Sequence, residues 1–335
     1  MFVLESMSSW SRTRIQPQRQ YKQAVTESID TSLHEVLPPK RDLIHIQYKK
    51  PVCIDTAVIL VFFNPAKSFR IIQNILYIKQ LLDNASIPYF IGEIAYNDEP
   101  HLFGSSNPNI FLYRSSSYMF SKENIIQCIL KNEGLARFTK YVIMDSDILF
   151  DTSDWIDAIS SSLDTYDIIQ PYQYACRLNL EYKSDSIIPS IAFDPKNGHP
   201  GYVWAFRRDW WLRSGGLYEY ALIGGGDAVF AYSLGLPTKA IPSVYLKDRL
   251  PLRVETSLSY LPFTIWHLAH GSILSRQYRE RSDKLQNALK IINISSVHDA
   301  VIRTYEGILE WKPAYKNTLN AILLHYFTTR KDDSM

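Results

Sequence analysis

The stretch that most narrows the possible folds is DTAVILVFF, residues 55–63. A continuous apolar run of this kind fits a strand buried on both faces, as parallel sheets supply, better than an amphipathic strand with one wet face. Asn64–Pro65 ends it. SFRIIQNILYIKQLLD then sets Phe69, Ile72 and Leu76 at helical spacing, with Ser68 as the N-cap. IPYFIGEIAY (87–96) reads as the next strand, SKENIIQCILKN (121–132) as a helix and KYVIMD (140–145) as a strand. Strands alternating with helices predict an α/β layer with a mostly parallel central sheet flanked by helices. Beyond residue 150, SDWIDAISSSL reads as a helix and YDIIQPY as a strand, followed by a loop-rich stretch to about 200 and a mainly helical pattern from 281.

Composition excludes several classes. With 36 basic and 34 acidic residues the net charge is +2, so the chain lacks the strong overall field of a polyelectrolyte binder, which leaves room only for a local basic patch; no nucleic-acid partner is expected. Three scattered cysteines (Cys53, Cys128, Cys176) give neither a disulfide framework nor a cysteine zinc site. The first twenty residues lack a signal-peptide apolar run, and no stretch reaches the roughly 18 apolar residues of a membrane span. The expectation is a soluble, cytoplasmic protein with no membrane span. Residues 1–50 carry eight Lys/Arg against five Asp/Glu and the break LPPKRD, and read as a polar N-terminal arm.

Three constellations carry chemistry. In YVIMDSDILFD (141–151), Asp145 and Asp147 follow a buried strand, where open α/β sheets place ligands. Two carboxylates so close repel unless a cation or hydrogen-bond donors intervene, and oxygen ligands suit Mg²⁺ or Mn²⁺. The plain alternative is Asp147 capping a following helix. An EF-hand would need Gly at 150 and Glu at 156, where Phe150 and Ile156 stand. A haloacid-dehalogenase-type phosphatase also puts DxD after a strand, but near the chain start and with Thr or Val where Leu149 stands. The second constellation is GGGD, whose glycines let Asp227 approach a ligand, the alternative again being a helix cap. The third is HLAHG, with His267 and His270 three apart, able to face one metal, and Arg276, Arg279 and Arg281 beyond them. It is not HExxH, which argues against a zinc protease.

In this order, FFNP, SKENIIQ, IMDSDILF, PGYVWAFRRDWWLRSGGLYEYALIGGGDAVF and HLAHG…RQYRER resemble GT-A glycosyltransferases over about residues 55–282. The resemblance is to the inverting β-1,4-galactosyltransferase-like branch and its microbial and viral relatives. It implies a GT-A, Rossmann-like nucleotide-diphospho-sugar transferase fold over 51–282, with 283–335 as a helical C-terminal extension packed on it. It implies a nucleotide-sugar donor, UDP-linked, and a glycan or other hydroxyl acceptor. Asp147, His267 and His270 would bind Mn²⁺ or Mg²⁺, and Asp145 the sugar nucleotide. Phe63, Asn64 and Pro65 would border the nucleobase, Lys122 would contact phosphate or ribose, and Gly225 and Gly226 would line the pocket. Asp227 falls on the general base of an inverting displacement. One departure stands out: the family's glutamate before that base is Gly226 here, which leaves the acceptor open. Among the aromatics of 202–220, most of them core, Trp204 and Tyr218 are the candidates for substrate contact. Two other classes share parts of this pattern. A metal-dependent phosphohydrolase would release phosphate with no sugar acceptor and no need of His267. A non-catalytic nucleotide-sugar or glycan-binding module would bind without turnover.

Overall fold

The computed structural model describes residues 14–15, 46–238, 241, 245, 254–271, 278–330 and 333. Strands β1 (Arg14–Ile15) and β2 (Thr56–Phe63) are followed by helix α1 (Phe69–Asn84), β3 (Tyr89–Tyr96), β4 (Ile110–Ser115), α2 (Lys122–Leu130), β5 (Lys140–Met144) and β6 (Ile148–Phe150). Next come α3 (Trp155–Leu163), β7 (Ile168–Gln170), β8 (Tyr174–Leu178), β9 (Ser184–Pro189), β10 (Val203–Arg207), α4 (Arg208–Ser214) and α5 (Gly226–Ser233). The chain continues with β11 (Ser257–Tyr260), β12 (Thr264–His267), α6 (Tyr278–Ile291), β13 (Val301–Arg303), β14 (Leu309–Trp311) and α7 (Pro313–Thr329).

Among the described residues the central sheet has eight strands in the order β1-β11-β7-β10-β5-β2-β3-β4, all parallel neighbours except β10, which runs against both β5 and β7. The apolar run at 56–63 does what its composition demands. Val58, Leu60 and Phe62 enter one core with α1 and α3, while Ala57 and Ile59 enter another with α2, α4 and α5. Period-two alternation thus feeds both faces of one sheet, and β5 repeats it with Val142 and Met144 against Tyr141 and Ile143. The Ser68 hydroxyl caps α1 by accepting from the Ile71 N–H at 3.3 Å. The fold is therefore α/β with a mostly parallel central sheet flanked by helices.

A second, four-stranded sheet, β6-β12-β8-β9, lies beside the first. Its β8 and β9 form an antiparallel hairpin inside the stretch that reads as loop. The reason is local: half-buried strands mix polar and apolar residues without clean alternation, and Asn179 turns the hairpin by accepting from the Glu181 and Lys183 N–H groups. The C-terminal extension is not uniformly helical either. Between α6 and α7, β13 and β14 pair antiparallel, and Trp311 donates its backbone N–H to Ser117 Oγ at 3.0 Å. A third core of Leu285, Leu289, Trp311, Leu323 and Phe327 joins this extension to Leu222 and Val229 around α5. From the N-terminal arm, β1 adds to β11 in parallel; the rest of 1–45 lies outside the described residues. Among the described residues, no helix is long and apolar enough to cross a membrane.

Candidate active site

Strands β2 and β5 are parallel neighbours, so Phe63 and Asp145 leave the sheet at the same edge. Asp145 donates its backbone N–H to the Tyr202 carbonyl at 2.9 Å, closing the β5–β10 ladder beneath the aspartates. Asp147 is followed by a strand, not a helix, so it caps nothing. Instead β6 pairs antiparallel with β12, setting Ile148 opposite His267, and the Asp147 carbonyl accepts from the Leu268 N–H at 2.8 Å. Two strand ends thereby hold the carboxylate against the imidazoles. His267 Nε2 lies 3.6 Å and His270 Nε2 2.9 Å from Asp147 Oδ2. One donor atom from each of the three residues lies within 4.8 Å of the others. Ligand atoms about 2.1 Å from one ion stand about 3–4 Å apart, so the two contacts match a common coordination sphere. A carboxylate with two imidazoles suits a first-row divalent cation, with positions left over for other ligands.

Beside this triad is a cluster of charges. Lys122, the first residue of α2, reaches Asp145 Oδ1 at 2.6 Å and Asp227 Oδ1 at 3.0 Å. Burial disfavours its ammonium, but Asp145, Asp227 and Glu123 outweigh burial and hold its pKa well above that of an ordinary lysine. Burial pushes the Asp145 carboxyl up to about 6, with Lys122 pulling it down and Asp227 and Asp147 pushing it up. Glu123 is 5% exposed. Burial pushes its carboxyl up to about 7, against Lys122 and with Asp227.

Asp227 sits in the first turn of α5, whose cap residue is Gly225, so Asp227 does not serve as the helix cap. Its other oxygen, Oδ2, would be 3.0 Å from a Cβ on Gly201, as would His199 Cε1. The absence of a side chain at 201 lets that carboxylate stand over the His199–Gly201 segment. Gln170 and Tyr172, both fully buried, fix the segment from below: the amide of Gln170 donates to the His199 and Gly201 carbonyls, and the Tyr172 hydroxyl donates to Gly201 at 2.9 Å. Tyr202 follows with φ of 79°, an unusual conformation for a residue with a side chain and one that concentrates at functional sites. Its ring stacks on His199 at 4.2 Å and faces His267 at 5.2 Å, while its hydroxyl accepts from Arg177 Nε at 2.6 Å.

Other residues named from sequence lie as follows. Asn64 holds its turn shut by bonding both the N–H and the carbonyl of Ser68, and Phe63 packs edge-on against Phe120. Gly225 has φ of 89°. Trp204 is 3% exposed, packs on Phe230 and gives its indole N–H to the Pro200 carbonyl, so it serves the core and not a substrate surface. Tyr218 is half-buried among Tyr220, Tyr245 and His298, in the group joined to the C-terminal extension. Arg276 and the side chains of Arg279 and Arg281 lie outside the described residues. Glu123 and His199 do not stand out in the sequence. The first is hidden by its neighbour Lys122, and the second sits in a loop-like NGHPG. A cavity of about 420 Å³ near Phe138, Lys140 and Arg207 opens at the far edge of the sheet. Two of its cations are paired, Lys140 with Asp55 and Asp164 and Arg207 with Asp167 and Asp209.

The raised Glu123 carboxyl has a consequence for stability. A carboxyl that binds its proton more tightly when folded stabilises the fold below its unfolded value and loses that contribution as pH rises through the folded one. For Glu123 that window runs from 4.5 to about 7. Its contribution is expected to fall by on the order of 3 kcal/mol across the window, and Glu123→Gln to remove the fall. Thermal unfolding at pH 5 and pH 8 measures it. A variant whose Tm differs from the parent equally at both values would refute the burial effect.

No protein-family model and no curated protein matches the chain. Among solved structures, it is similar to the catalytic domain of Drosophila β1,4-galactosyltransferase 7 in complex with xylobiose. The identity is 11% and the TM-score 0.31, over 54% of this chain and 62% of that one. Similarity to S. aureus TarS 1–349 in complex with UDP-GlcNAc is at 12% identity and TM-score 0.40, over 81% of this chain and 72% of that one. For GalNAc-T7 with UDP, GalNAc and Mn²⁺ it is at 12% identity and TM-score 0.39, over 71% and 50%. These are GT-A glycosyltransferases. The chain spans less than two thirds of the first and third, and all three likenesses lie below a TM-score of 0.5. What this chain can do rests on its own residues.

Proposed function

We propose that the chain is a metal-dependent glycosyltransferase, moving a sugar from a UDP-linked donor to a hydroxyl acceptor with inversion. The supporting observation is convergence: Asp147, His267 and His270 gather at one sheet edge, and Lys122 ties Asp145 to Asp227 beside them. Asp147, His267 and His270 would hold the cation, with Mn²⁺ preferred over Mg²⁺ because two of three donors are imidazole nitrogens. When bound, the cation supplies stabilisation of the negative charge on the departing diphosphate.

The chain's own residues do the rest. Asp145 and Lys122 orient the sugar nucleotide, and the Phe63–Pro65 turn borders the base. An acceptor hydroxyl rests near Asp227 Oδ2, the oxygen that Lys122 does not hold. The acceptor oxygen forms its bond to the anomeric carbon as the bond to the diphosphate breaks. The nucleoside diphosphate leaves with the electron pair, and the acceptor's proton passes to Asp227. One displacement from the face opposite the leaving group inverts the anomeric centre. Ferrous iron also suits a carboxylate–bis-imidazole triad, but that reading gives Lys122 and Asp227 no task.

The test is a turnover screen with UDP-, GDP- and dTDP-sugars in Mn²⁺, with and without candidate hydroxyl acceptors. Sugar release from a UDP donor is the expected result. Phosphate release from simple phosphoesters would favour a phosphohydrolase, and UDP binding with no turnover of any donor would favour a binding module.

A further inference from the structure

Arg177, in β8, stands next to the cation triad. Its Cα is the register partner of His267 across the parallel β8–β12 pair, and residues in register on neighbouring strands share a face of the sheet, with the strands about 4.8 Å apart. His267 and Arg177 therefore leave the smaller sheet on the same side. On the other flank of β8, the ladder with β9 shifts register between Arg177 and Leu178. Such irregularities recur beside active sites, where they re-aim a side chain.

Arg177 is half-buried and, among the described residues, has no carboxylate partner. Arg207 and Arg303, by contrast, pair with Asp167 and Glu219. What holds Arg177 is Tyr202: Nε donates to its hydroxyl at 2.6 Å, and the guanidinium carbon lies 5.8 Å from the ring centre. Tyr202 is itself fixed, its ring stacked on His199 and facing His267 at 5.2 Å, its carbonyl bonded to the Asp145 N–H. Nε is thus committed, and the edge formed by the two terminal amino groups keeps the geometry that receives a planar pair of oxygens. A partly desolvated cation without an acid does little for the fold, which points to a ligand that brings the negative charge.

The opposite side of the site is lined by carboxyls. Lys122 is taken up by Asp145 and Asp227, and the Glu123 carboxyl occupies the place that a side chain at Gly226 would take. A Cβ at Gly226 would stand 1.9 Å from Glu123 Oε1. An incoming anion is better received on the β8–β12 side, where the guanidinium flanks the candidate cation ligands.

We infer that Arg177 is an anion subsite beside the cation, receiving an oxyanion group of the substrate on its two terminal amino groups. A nucleotide-sugar donor carries that chemistry in two places, its diphosphate and a carboxylate on the transferred sugar. The inference rests on the donor reading of the triad.

Titration calorimetry on the full-length chain in Mn²⁺ tests it with inorganic pyrophosphate, UDP, UDP-glucose and UDP-glucuronate. Arg177→Gln should weaken the probes that reach the subsite by about 10–100-fold, the loss of a charge-assisted bidentate contact. Arg177→Lys, which keeps the stem and the charge but not the fork, should lose less, about threefold to tenfold, and carries the test if Arg177→Gln does not fold. A loss shared by every probe assigns the diphosphate, and a loss confined to UDP-glucuronate assigns the sugar carboxylate. Tyr202→Phe removes the hydroxyl and leaves the guanidinium, and should stay close to the parent. Parent affinity for every probe in the Arg177 variants overturns the inference. An equal loss in Tyr202→Phe overturns it too, because Arg177 would then act only as a support for that ring. If the parent binds pyrophosphate but not UDP, the nucleotide reading falls, while a pyrophosphate loss in Arg177→Gln still upholds the subsite. A parent that binds none of these probes overturns both.

Discussion

Asp227→Asn is expected to bind UDP in Mn²⁺ as the parent does and to transfer sugar about 10²–10⁴ times more slowly. An asparagine oxygen can still accept from Lys122, whose ammonium lies 3.0 Å from Asp227 Oδ1, so the substitution should leave the geometry standing. What it removes is the capacity to take a proton. The separation of binding from turnover matters, because loss of both would point to a disturbed pocket. Titration calorimetry with UDP, set beside initial rates on the donor found by the screen, reads the two apart. A variant retaining a tenth or more of the parent rate would exclude Asp227 as the base and send the search to another group near Gly201.

The second large effect concerns the cation. Asp147→Ala leaves two imidazoles and takes away the anionic member of the triad, the one that touches both histidines at 2.9 and 3.6 Å. Removing even a neighbour of a metal ligand costs about 10–100-fold in metal affinity, so losing this ligand should weaken Mn²⁺ binding by at least about 100-fold. The Mn²⁺-dependent part of UDP affinity should disappear with it. Calorimetry with UDP in Mn²⁺ and in EDTA, on parent and variant, measures both. If the parent binds UDP equally well in EDTA, the triad is not a donor-binding centre. If Asp147→Ala retains metal-dependent binding, the cation sits elsewhere.

How much of this could be read from the chain depends on the kind of signal. The run at 55–63 and the helix at 68–83 are legible because burial on both faces, or on one helical face, forces long regular patterns, and the structure has Thr56–Phe63 and Phe69–Asn84. Ile110–Ser115, an edge strand of half-buried residues, leaves no such pattern. The hairpin at 301–311 hides inside a segment whose flanks are both helical. At the site, DxD and HxxH announce themselves because charged groups at a strand end are unusual. That Asp147 and His267 are neighbours follows only from the β6–β12 pairing, which neither motif encodes by itself. The Glu123–Gly226 contact is less legible still. A missing side chain in one helix start answers a carboxyl in another, and no local rule links them.

The two halves of the site hang from different supports. The histidines and Asp147 belong to the junction of β6 and β12 in the smaller sheet, whereas Lys122, Glu123 and Asp227 belong to the first turns of α2 and α5 on the large sheet's other face. The Lys122–Asp145 ion pair is the link between them. On the proposed reading, substitutions at the two helix starts would change how an acceptor is held while the β6–β12 junction keeps the three candidate cation ligands together.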